Sequence, residues 1–119
     1  MNLVVLRGSL SRPPEVRELR SGDVLVTYEV TTPATDAAPA TSVPVAWFSP
    51  APGAADMTEG TVVVVVGQVR RRFFQAGGLQ SRTEVVADRV LRASRAKVAE
   101  RAVLEALVAC EEVFTGAAA

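Results

Sequence analysis

Five consecutive residues, Arg70-Arg71-Arg72-Phe73-Phe74, couple three cations to two aromatic rings. Side chains alternate between the two faces of an extended strand. Arg70, Arg72 and Phe74 then project to one side, and Arg71 and Phe73 to the other. A face bearing two guanidiniums and one ring suits a ligand with phosphates spaced along a backbone and flat bases beside them. Arginine fits that task, because its planar fork both pairs with phosphate and stacks on rings. The plainer alternative makes Phe74 a cap on the core and the arginines a solvated hairpin edge.

Other chemistries lack their residues. The chain has no histidine, which removes Ser/His/Asp and Cys/His nucleophilic arrangements and every histidine metal site. One cysteine, Cys110, makes neither an internal disulfide nor a thiolate cage. No G-x-x-x-x-G-K-[ST] phosphate loop occurs, and Gly77-Gly78 reads as a turn pair. The acids are scattered, with no pair at a spacing that suggests acid–base catalysis. These absences point to a binding protein rather than an enzyme, with no metal or other cofactor.

The elements that must carry the Arg–Phe segment are short strands. Leu3 to Leu10 reads as a strand with a bulge or bend at Gly8, and Glu15 to Leu19 as a short return. Val24 to Thr32 alternates with period two, placing Val24, Val26, Tyr28 and Val30 on one face. Val43 to Phe48 is a further strand, which Pro44 demotes toward an edge or a bulge. Residues 50–59 suit one helical turn. Thr61 to Phe74 opens with five consecutive valines, which requires burial on both faces at that end. A glycine loop returns it along Gln80 to Ala93. After Ser94, a plausible N-cap, Val98, Ala102, Val103, Leu107, Cys110 and Phe114 recur at helical steps up to Gly116. Cys110 then reads as a small buried hydrophobe.

The 119 residues suit one domain with a short appendage. The order implies an all-β fold: a five-stranded OB-fold barrel with a short helical insert and a C-terminal amphipathic helix. An SH3-like barrel or a small sandwich fits the pattern nearly as well. The division expected is a barrel over residues 1–93 and a helix with a frayed end over 94–119.

Charge is balanced overall but not along the chain. Thirteen Lys+Arg match thirteen Asp+Glu, which excludes a polycationic coat but not a local basic groove. Residues 61–97 hold eight bases against Glu84 and Asp88, net +6, whereas residues 24–60 hold four acids and no base. No apolar run approaches the ~20 residues that span a bilayer. The start, Met1 to Leu6, lacks the basic onset and long apolar stretch of a secretory leader. A cytoplasmic address is the default for such a chain.

Three stretches carry a resemblance. Leu6 to Arg17 (LRGSLSRPPEVR) followed by Ser21-Gly22, then Val43-Pro44-Val45-Ala46-Trp47-Phe48, then Glu59-Gly60 with Val66 to Phe74 and Ser81 to Ala87, occur in order. Together they resemble the bacterial single-stranded DNA-binding protein family over about residues 2–92. The resemblance implies an OB-fold homodimer or homotetramer that binds single-stranded DNA without sequence preference, near the nucleoid, in replication, recombination or repair. It implies base stacking on Trp47 and Phe74, and a DNA path lined by Arg70 and Arg72, to which the charge pattern adds Arg82. Phe48 and Phe73, of opposite parity, are expected in the core, and Tyr28 in the core or a subunit interface.

The chain departs from the family in four places. The loop from Pro33 to Ser42 is short and bare, a further stacking aromatic falls near Thr41, and the hairpin loop is short. The end, Thr115 to Ala119, replaces an acidic Phe-terminated tail, so tail-mediated partner recruitment is not expected. An OB-fold protein-interaction or assembly module with little or no DNA binding is the alternative these departures suggest.

Overall fold

The computed structural model describes residues 1–117, with side chains as far as Glu111. Six strands and one helix form: β1 (Val4–Leu10), β2 (Glu15–Glu18), β3 (Val24–Thr32), β4 (Thr41–Phe48), β5 (Val62–Gln75), β6 (Leu79–Arg92) and α1 (Ala96–Ala117). The sheet order is β1-β5-β6-β4-β3-β2, and the end of β1 also pairs with β3. Five strands therefore close a ring, and β2 lies outside it on the edge of β3. Every strand pair is antiparallel except β4–β6, which meets through Val45↔Val85 and Ala46↔Val86. This ring is an OB-fold layout, and its order excludes the sandwich and the SH3-like alternative. The parallel pairing starts one residue past Pro44, so the proline sits where β4 has a free edge.

Closure brings β1 hard against β3. Gly8 lies at that crossing, where a Cβ would run into the Thr31 carbonyl. Its register with β5 is unbroken, from Arg7↔Val64 to Gly8↔Val63. Gly8 therefore marks a close approach and not a bulge. The irregularity lies between Val66 and Gly67, where Val66 faces Arg89 and Gly67 faces Ala87, leaving Asp88 as the extra residue.

The inward residues follow the period-two pattern. Val26, Tyr28 and Val30 of β3 meet Val45 and Trp47 of β4, Val63 and Val65 of β5, and Val85, Ala87 and Val90 of β6. Four of the five valines, Val63 to Val66, are buried. The outward-facing Val64 is covered because α1 lies over it with Ala99 and Val103. Among the described residues of the helix, Ala99 and Ala102 are buried.

Three local expectations are corrected. Residues 51–60 form turns rather than a helical insert. Pro50, Pro52 and the positive-φ Gly53 break the pattern, and the Ala54 carbonyl turns inward to accept the Tyr28 hydroxyl at 2.6 Å. The first helical bond runs from the Ala99 N–H to the Arg95 carbonyl at 3.0 Å, so Arg95 and not Ser94 caps α1. The helix continues through Gly116 to Ala117. The side chain of Phe114, and the expected fraying at Ala118 and Ala119, lie outside the described residues. Among the described residues, no helix is long and apolar enough to cross a membrane.

Candidate nucleic-acid interface

The β5–β6 hairpin runs past the barrel. Its pairing continues without further slips from Gly67↔Ala87 to Gln75↔Leu79. From Val69 to Thr83 every residue is exposed. Alternation therefore sets which side a residue faces but buries neither side. Arg72 lies over Phe74, with its guanidinium carbon 5.6 Å from the ring centroid, and Arg71 lies over Phe73 at 5.8 Å. Phe74 is 39% exposed and Phe73 62%. Phe73 is thus not a core residue, because the core ends before the strand does.

In β4 the parity is the reverse of that expected. Val43, Val45 and Trp47 share the inward face, and Trp47 is 8% exposed within the core cluster. The indole implied as a stacking platform is thus packed among core side chains and shows little surface to a base. Phe48 points outward instead, is 37% exposed, and lies 5.2 Å from the Arg70 guanidinium carbon. The signal was present in the sequence: Trp47 continues the apolar series of Val43 and Val45, and Phe48 follows Pro44 and Ala46.

Arg70 and Arg72 converge on one carboxylate. Glu84 is buried and receives Arg70 at 3.2 Å and Arg72 at 3.3 Å, both on Oε1. The register explains this, since Glu84 is the cross-strand partner of Arg70 and the diagonal neighbour of Arg72. Both arginine side chains remain nearly half exposed, and each guanidinium has more donors than its contact with Glu84 uses. Arg82 sits directly opposite Arg72, an arrangement of like charges that disfavours the bare hairpin. No carboxylate among the described residues pairs with Arg82.

These side chains line one concavity of about 110 Å³ on the outer face of β3 and β4. Arg12, Glu15 and Arg17 close it from the segment after β1, while Arg70, Arg72, Arg82 and Glu84 close it from the hairpin. Five arginines thus face two carboxylates, with Phe48 in the floor. The structure brings Arg70, Arg72 and Arg82 together here, sets Phe74 on the adjoining hairpin beneath Arg72, and leaves Trp47 on the far side of the sheet. Pattern reasoning missed Phe48, Arg12 and Arg17. It also missed Glu84, whose role depends on a register no local pattern reveals.

A second concavity, of about 580 Å³, lies between the turns after β4 and the end of β6. The edge of Trp47 reaches it, and Arg92 donates to the Asp56 carbonyl across it. Among the described residues, no cluster of three or more acids or cysteines has metal-ligand geometry.

No family model matches the sequence, and no curated protein matches it. Solved structures do match. The wild-type single-stranded DNA binding protein from Thermus aquaticus is similar with a TM-score of 0.63 at 22% identity, over 77% of this chain and 40% of that one. A deletion mutant of the same protein gives the same values. The chain spans about 40% of the length of those chains. Ring order, parallel β4–β6 contact and long β5–β6 hairpin, taken with this likeness, give the chain an OB fold like that of the Thermus aquaticus single-stranded DNA binding protein.

Proposed function

We propose that the chain binds single-stranded DNA without sequence preference, in replication, recombination or repair, and that it does so as a cytoplasmic, nucleoid-associated protein. The observation that carries this reading is the concavity where Arg70 and Arg72 are held by Glu84, with Arg70 over the exposed ring of Phe48 and Arg72 over that of Phe74 on the adjoining hairpin. OB folds receive oligonucleotides on the outer face of their second and third strands and on the flanking loops. In this ring those strands are β3 and β4, and the long hairpin is one flank. Likeness to a single-stranded DNA binding protein supports the same reading.

In mechanism, Arg70, Arg72 and Arg82 hold successive phosphates while unstacked bases lie on Phe48 and Phe74. Glu84 acts as a positioning residue, fixing two guanidiniums before the strand arrives. The barrel of residues 1–93 is the binding unit, and no step of bond chemistry is involved.

A titration of the whole protein with a fluorescent oligo-dT at two salt concentrations tests the proposal. Binding that weakens with salt and exceeds binding to duplex is expected. Equal affinity for duplex, or no binding at low salt, sinks it. Burial of Trp47 and the carboxylate between the arginines favour a second reading, an OB-fold assembly module with weak DNA binding. A Phe48→Ala, Phe74→Ala double variant separates the two. Loss of DNA affinity with an intact fold supports the first, and altered assembly supports the second.

A further inference from the structure

Helix α1 is 22 residues long, about 33 Å at 1.5 Å per residue. Its barrel side is small: Ala99 and Ala102 are buried, and Val103, Ala106 and Cys110 are half-buried. The outer side carries Lys97, Arg101, Leu104, Val108 and Glu111, at steps of four, three, four and three, with Leu104 also bordering the groove over Val64. Such steps keep a series on one helix face. Leu104 and Val108 are each 53% exposed, and Leu107 beside them 51%.

The order of chemistry along this face is unusual. It runs from basic through apolar to acidic, and the helix has no acid in its first turn and no base in its last. That is the reverse of what the helix dipole favours, which is acids near the N-terminus and bases near the C-terminus. An inverted copy of the same face complements it. With the two-fold axis beside Ala106, Arg101 meets Glu111 of the other copy and Leu104 meets Val108 of the other copy. The opposed dipoles then also attract. A parallel copy would instead set Arg101 against Arg101 and Glu111 against Glu111.

We infer that the outer face of α1 is a self-association surface that takes a second copy of this chain, helix against helix in antiparallel two-fold pairing. The arrangement is isologous, so each apolar and each charged contact occurs twice. It does not depend on the DNA-binding reading, since the face lies on the helix and not in the arginine groove.

Charge reversal in the full chain tests it by sedimentation velocity over a wide concentration range, with circular dichroism as the check on folding. Arg101→Glu alone and Glu111→Arg alone should each weaken assembly about tenfold or more, because like charges then face each other. The double reversal should restore it. Leu104→Ser with Val108→Ser should also dissociate the assembly while leaving the barrel folded, as both side chains are exposed. A protein that is monomeric throughout overturns the inference. So does an assembly that survives both single reversals, or one that the double reversal fails to rescue.

Discussion

Trp47 and Phe48 are chemical near-equivalents with opposite fates. One residue of offset turns the indole into the core and the phenyl ring toward Arg70. Substitution should separate them cleanly. Trp47→Ala should cost about 3–5 kcal/mol of stability, as for large-to-small changes in a core, measured by urea unfolding. Phe48→Ala should leave the unfolding midpoint nearly unchanged and weaken oligo-dT binding by about 1–3 kcal/mol, one stacked base. Alternating polarity is legible in β4, where Trp47 shares its parity with Val43 and Val45 and Phe48 does not. Tyr28 offers a second test. Burial raises its phenol well above the ordinary value of 10.0, while its hydroxyl donates to the Ala54 carbonyl. The native state therefore keeps a proton that the unfolded chain releases above about pH 10, so stability is full below that pH and falls as pH rises beyond it. Tyr28→Phe should remove that part of the alkaline slope and cost about 1–2 kcal/mol at neutral pH by leaving a buried carbonyl unpaired.

Strand β5 changes character along its length, and this change makes the site. Its first half is valine, with Val63 to Val66 buried between the core and the outer cover that includes α1. Its second half is arginine and phenylalanine, beyond the reach of either. The composition switch at Gly67 was visible in the chain, yet its consequence for Phe73 was not, because exposure depends on where the neighbouring strands stop. Gly8 controls closure at the other end of the barrel. Gly8→Ala should force β1 away from the Thr31 carbonyl and cost about 1–3 kcal/mol, the usual range for overpacking. Faster amide exchange in β1 and β3 would accompany the loss, and unchanged exchange would contradict the role given to this residue.

A radius of gyration of 15.5 Å exceeds the ~13.5 Å expected of a compact domain this long. The excess reflects two projections from one barrel, the basic hairpin and the helix. Because the net charge is zero, attraction for a polyanion comes from the local groove and not from the whole field. Salt should therefore act through few contacts. With three phosphates held by Arg70, Arg72 and Arg82, the log–log salt slope should lie near roughly −2, at about −0.7 per phosphate on a single strand. Arg82→Ala should flatten it by about 0.7, without the stability loss expected at Arg70, which is tied to Glu84. An unchanged slope would place the strand elsewhere.

Local composition was enough to specify strands, the hairpin, the double-sided burial of the valine run and the cationic–aromatic segment. Each of these depends on periodicity or on near neighbours in the chain. Ring closure, the outward turn of Phe48, the inward turn of Trp47 and the Glu84 clamp depend on registers between strands far apart in sequence. A side chain's face is set by its own strand, but whether that face meets core, solvent or a carboxylate is set by its neighbours across the sheet. Folding alone supplies those neighbours.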